Sequence, residues 1–151
     1  MHRVKTKKLW STSDFELVIE DNQSCLLWNS ENGILWVRWR GIVDAKTASS
    51  ILASALNSVE QGHASKVLLD RSAIEEFTTG ARLWIKEDFL KKRAQPLSHL
   101  IEKIGSVKPD KSMARIYSHL VSSIIRVVFP SFSIVEFNSS IEAIDWLMDE
   151  N

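Results

Sequence analysis

The sequence predicts an α/β domain: one mixed central sheet, opened by an antiparallel hairpin and flanked by helices. Three observations carry this. β-rich runs crowd the first forty residues and meet at Asn32-Gly33, a dipeptide suited to a tight hairpin turn. From Asp44 onward, segments with apolar residues at three- and four-residue spacing alternate with short, nearly continuous apolar runs. Such runs suit strands covered on both faces, as in parallel sheets.

In order, residues 1–13 read as a flexible N-terminal segment, and 14–151 as a single domain. Phe15, Leu17 and Ile19 alternate with Glu16, Val18 and Glu20, the period of a half-buried strand. The run 25–29 leads through 30–33 into 34–40, where Leu35, Val37 and Trp39 share one face and Trp36, Arg38 and Arg40 the other. Asp44 can cap a helix over 45–61, with Gly62 placed for a left-handed C-terminal residue. A strand follows at 66–70. A helix over 80–94 starts at Thr78 or Thr79; Lys91, Lys92 and Arg93 crowd its end, and Pro96 stops it. Leu97, Leu100, Ile101 and Ile104 fit a helix, but 103–107 reads better as a strand before Pro109. Asp110 opens a strongly apolar helix over 110–128. A strand at 132–137 and a helix entered by Ser139 with Glu142, a capping box, complete the chain. Right-handed crossovers between parallel strands then give a mixed sheet with the first strand at an edge.

Composition narrows the function. The 151 residues carry 19 Lys plus Arg against 19 Asp plus Glu, so the net charge is zero. A duplex-DNA binder needs a basic field, so nucleic acid is not an expected partner. The single cysteine, Cys25, permits no internal disulfide. No apolar h-region follows the basic start and no run is long enough to span a membrane, so the cytoplasm is the expected location. The four histidines lack metal spacing, and no nucleotide loop or nucleophile elbow occurs, so no metal, cofactor or catalytic residue is expected. An enzyme could draw only on Asp70, Arg71 and Glu75.

The element order, with 67-VLLDRS-72, 84-WIKEDF-89, 103-KIGSVKPD-110, 113-MAR-115 and 142-EAIDWL-147, resembles the STAS domain of anti-sigma-factor antagonists. It resembles more closely the divergent SpoIIAA-like bacterial proteins of STAS/SEC14-like type. In phosphorylated STAS domains, a strand ending Asp-x-Ser leads to Asp-Ser-Ser-Gly at a helix start, whose second serine takes the phosphate. By that resemblance Asp70 and Ser72 match the strand end, Gly80 the motif glycine, Thr79 the acceptor and Thr78 its neighbour. Phe77 falls at the motif aspartate, and the loop is one residue shorter. The resemblance implies a SpoIIAA-like fold without the usual acceptor serine motif, and a non-enzymatic regulatory module that binds a protein partner; phosphate on Thr79 is the switch it could still carry. The plainer reading makes Thr78 or Thr79 an N-cap.

The expected interaction surface comprises Asp70, Ser72, Glu75, Glu76 and Gly80 in the 72–80 loop, and the Trp36, Arg38 and Arg40 face of the hairpin. That face could equally be cation–π packing on the sheet. Because helix 110–128 is apolar on more than one stripe, part of it could face a second copy of the chain. It could also roof a pocket, with helix 80–94, for a small apolar, lipid-like ligand. That makes an apolar-ligand carrier or sensor the alternative function.

Overall fold

The computed structural model describes residues 10–110 and 134–149. Its framework is a six-stranded sheet in the order β1 (Glu16–Asp21), β2 (Ser24–Asn29), β3 (Ile34–Val43), β4 (Lys66–Phe77), β5 (Lys103–Val107), β6 (Ile134–Phe137). The first three strands pair antiparallel, and β3 to β6 pair parallel. The expected mixed sheet, its edge strand β1 and the pairing of 66–70 with 103–107 are all present. The helix expected over 110–128 and the first two positions of the 132–137 strand lie outside the described residues.

The two faces of the sheet carry separate cores. On one, α1 (Ala45–Glu60) inserts Ala48, Ile51, Leu52, Ala55 and Val59 against Leu26, Leu35, Val37 and Trp39. On the other, α3 (Ser140–Met148) sets Ala143, Ile144 and Leu147 over Ile34, Trp36, Leu68 and Val107. The alternation read along 34–40 is therefore realised, with Leu35, Val37 and Trp39 under the first layer and Trp36 under the second.

Asp44 and Ser139 cap their helices as expected, though Glu142 does not complete a capping box with Ser139. Asp44 Oδ1 accepts the Thr47 N–H at 2.8 Å, and Ser139 Oγ accepts the Glu142 N–H at 3.3 Å. Gly62 adopts φ +78° after α1, where only a residue without Cβ is unstrained. The Thr47 N–H holds the Asp44 carboxyl below its ordinary value of 3.8. A depressed acid stabilises the fold above its unfolded pKa and loses that contribution as pH falls through the folded one. The melting-temperature gap between wild type and Asp44→Ala is therefore expected to be full at neutral pH. It should shrink once pH drops below about 3.8; a gap independent of pH would mean the cap does not rely on the charged form.

Four expectations change. Phe15, Leu17 and Ile19 do not share a face: the β1–β2 register slips between Leu17 and Ile19, leaving Val18 as a bulge. One extra residue inverts the facing beyond it, so Phe15 joins the α3-side core and Ile19 packs on the α1 side. The turn at Asn22 (φ +47°) and Gln23 (φ +75°) is left-handed at both positions, as a two-residue hairpin turn requires, without a glycine to mark it in the sequence. The helix expected over 80–94 begins as α2 (Thr79–Trp84), then widens into a π-helix over Ile85–Ala94. Its buried residues, Ile85, Phe89, Leu90 and Ala94, fall at intervals of four, one and four that suit the wider turn. Pro96 does not end the rod, because a 3-10 segment runs over Gln95–Leu100 and the proline occupies its first turn, where a missing N–H costs nothing.

The fourth change concerns residues 72–80. They do not form a loop up to the helix: β4 continues to Phe77 alongside β3. Residues 71–77 thus extend past the end of the β4–β5 pairing at Asp70–Val107.

Candidate functional site

The end of β4 is shaped by two register slips against β3. Arg38 pairs with Asp70 and Arg40 with Ala73, so Arg71 and Ser72 together oppose Trp39; Gly41 pairs with Ile74 and Ile42 with Glu76, so Glu75 is extra as well. A bulge frees backbone groups that need partners. Asp70 supplies them: its Oδ1 accepts the Ser72 N–H at 3.0 Å and the Ser72 hydroxyl at 2.7 Å. Its Oδ2 accepts the Trp36 indole N–H at 2.9 Å.

These bonds place the sequence-predicted residues in two groups. Asp70 (5% exposed) and Trp36 (4% exposed) are buried together, so neither belongs to an open surface. Trp36 is enclosed because Phe15 meets its ring edge-on at 5.2 Å and the Arg38 guanidinium lies 5.3 Å from its centroid, the cation–π packing considered above. Arg38 is half-buried and Arg40 exposed. Ser72 is half-buried, tied to Asp70. Glu75 and Glu76 sit on β4 at its second register slip, the first exposed and the second half-buried.

The second group opens α2. Thr78 is the N-cap: its Oγ1 accepts the Ala81 N–H at 3.1 Å, and its own N–H donates to the Val43 carbonyl at 2.9 Å. Thr79 and Gly80 are exposed. The Arg82 guanidinium donates to Thr79 Oγ1 at 3.2 Å. Leu83, four residues after Thr79 and so on the same side of the helical turn, is 57% exposed.

The third feature lies beside helix 80–94, where the sequence offered an apolar pocket; Ser106 and Glu136 near it were not singled out. Between the sheet, α1 and the π-helical segment lies a cavity of about 100 Å³. Its wall includes Trp39, Leu52, Leu69, Phe89 and Ile104, with Arg71 and Ser106 as the polar members among the described residues. Arg71 (5% exposed) donates from Nε to Ser106 Oγ at 3.1 Å and pairs with Glu136 Oε1 at 3.4 Å. Arg71 follows the last β4–β5 pair, and Ser106 and Glu136 lie toward the carboxyl ends of β5 and β6, the side where parallel sheets commonly bind ligands. The signal that could have found them is faint: one arginine inside an apolar strand and one serine after Gly105.

No group of His, Cys, Asp and Glu among the described residues has the geometry of a metal site. Burial pushes the Cys25 thiol up, against the lowering influence of Arg38 and Arg40, so it is no activated nucleophile. No helix among the described residues is long and apolar enough to cross a membrane.

No protein-family model matches the chain, and no curated protein matches it by sequence. Solved structures do. The anti-sigma factor antagonist SpoIIAA in its unphosphorylated form superposes with a TM-score of 0.53 at 13% identity, over 88% of this chain and 96% of that one. The Bacillus cell fate determinant SpoIIAA in its phosphorylated form gives 0.51 at 14% identity, over 88% and 98%. At such low identity the likeness speaks to architecture. The chain has the SpoIIAA-like STAS fold, in a divergent sequence.

Proposed function

We propose that this protein is a non-enzymatic regulatory module that docks a protein partner through the start of α2, with Thr79 as the switch. The observation that carries this reading is the exposed Thr79 hydroxyl, contacted by Arg82 and flanked on the same helical side by the exposed Leu83. An exposed leucine beside a modifiable hydroxyl combines an apolar contact with a means of releasing it. A phosphate on Thr79 adds roughly −1.5 to −2 charges. It would draw the Arg82 guanidinium onto itself and force a charged group into any contact made by Leu83. The fold shared with SpoIIAA, which is described as an anti-sigma factor antagonist and solved with and without phosphate, supports the same reading.

The test uses a photo-crosslinker at Lys86, which is exposed beyond Leu83, in the native cell, with intact-mass analysis of the same protein. A discrete protein adduct is expected in wild type and Thr79→Ala. It should fall at least tenfold in Thr79→Glu and Leu83→Asp, and a phosphate should map to Thr79. Adducts indifferent to both substitutions, or phosphate absent under every growth condition, would remove docking or switching respectively.

A second reading is a carrier or sensor of a small apolar ligand. It is favoured by the cavity over the sheet, whose wall is apolar apart from Arg71 and Ser106 among the described residues. Extraction of protein from its native cell should then yield a bound apolar compound.

A further inference from the structure

The ligand-carrier reading leaves the guest unspecified, and the cavity's size and one polar corner narrow it. An apolar cavity of ~150 Å³ is large enough for benzene and stays dry when empty. The cavity here, about 100 Å³, is of that order and too small for a long acyl chain. Trp39, Leu52 and Phe89 offer a ring apolar contact from three sides: β3, α1 and the π-helical segment. Among the described residues, the polar wall is Arg71 and Ser106. The Arg71 charge is met by Glu136 at 3.4 Å, so this corner has no net attraction for an anion. Ser106 is 2% exposed, and its oxygen accepts from Arg71 Nε at 3.1 Å. That bond occupies an acceptor position and leaves the hydroxyl proton to point elsewhere.

Resting on the carrier reading, we infer that the cavity binds a compact, single-ring apolar molecule bearing one neutral hydrogen-bond acceptor, which accepts from the Ser106 hydroxyl. Arg71 is the positioning residue: by donating to Ser106 Oγ it fixes the hydroxyl rotor, and the guanidinium polarises the O–H. The π-helical widening contributes by bringing Phe89, Leu90 and Ala94 to the cavity together.

Titration by calorimetry and ligand-observed NMR with benzaldehyde, toluene, benzoate and palmitate tests this on the full chain. Benzaldehyde, whose carbonyl is a neutral acceptor, is expected to bind about tenfold more tightly than toluene, the order of one hydrogen bond in a dry site, and more tightly than benzoate. Ser106→Ala should remove the benzaldehyde advantage while leaving toluene binding intact, which also shows that the pocket still folds. Ala55→Leu, filling the cavity from α1, should abolish binding of both rings. Equal affinity for benzaldehyde and toluene, dominance of benzoate, or ring binding that survives Ala55→Leu would each overturn the assignment. Palmitate binding without ring binding would overturn it while leaving the carrier reading standing. No binding by any probe would remove both.

Discussion

Asp70→Ala is expected to destabilise the fold by about 3 kcal/mol, with little change in surface properties. The carboxylate is buried and accepts three hydrogen bonds: the Trp36 indole N–H at 2.9 Å, the Ser72 N–H at 3.0 Å and the Ser72 hydroxyl at 2.7 Å. Truncation leaves the indole and the backbone N–H in a dry setting without acceptors, and each buried unsatisfied donor costs about 1–3 kcal/mol. The Ser72 hydroxyl can turn to another partner, so the two N–H groups dominate. Asp70→Asn retains an acceptor oxygen and one side of the network, so its cost should be roughly half. Denaturant unfolding monitored by tryptophan emission measures both. If Asp70→Ala were neutral, the carboxylate would not be what closes the bulge at Arg71–Ser72. The residue would then have to be reconsidered as a surface determinant.

Ile51→Ala is expected to cost about 3 kcal/mol, and Ile51→Val about 1. Ile51 is fully buried at the centre of the α1 face, against the layer formed by Leu35, Val37 and Trp39. The loss has two parts, the transfer free energy of the removed carbons and the void they leave. A cavity already exists beside this layer, so partial collapse into the new space is poorly supported and the cost should not fall to the low end of the range. Glu60→Ala, exposed at the other end of the same helix, serves as the control and should lie within about 0.5 kcal/mol of wild type. A loss below ~1 kcal/mol for Ile51→Ala would mean that α1 is loosely held on the sheet.

The Asp70 result bears on the functional reading as well. As the residue before the bulge, Asp70 holds the turn of β4 that directs the chain toward Thr78 and Thr79, but it touches no solvent-facing partner site. A residue type matched to a family motif can therefore owe its place to local hydrogen bonding. Thr79 differs, since its hydroxyl caps nothing and faces outward beside Arg82.

Sequence alone determined what depends on near neighbours. The Asp44 and Ser139 caps, the left-handed Gly62, the alternation of Leu35, Val37 and Trp39, and the order of strands and helices all follow from interactions within a few residues. A period of 3.6 or 2 and a side chain reaching three residues along suffice for these. Tertiary structure decided the rest. The bulge at Val18, the two slips between β3 and β4, and the widening over Ile85–Ala94 each depend on which partner strand or core surface the segment must match. Tertiary packing also buries Trp36 with Asp70 and brings Arg71, Ser106 and Glu136 together across three strands. Their contacts span 34 to 65 residues of chain, and no local pattern encodes a register set by packing against an element so far away.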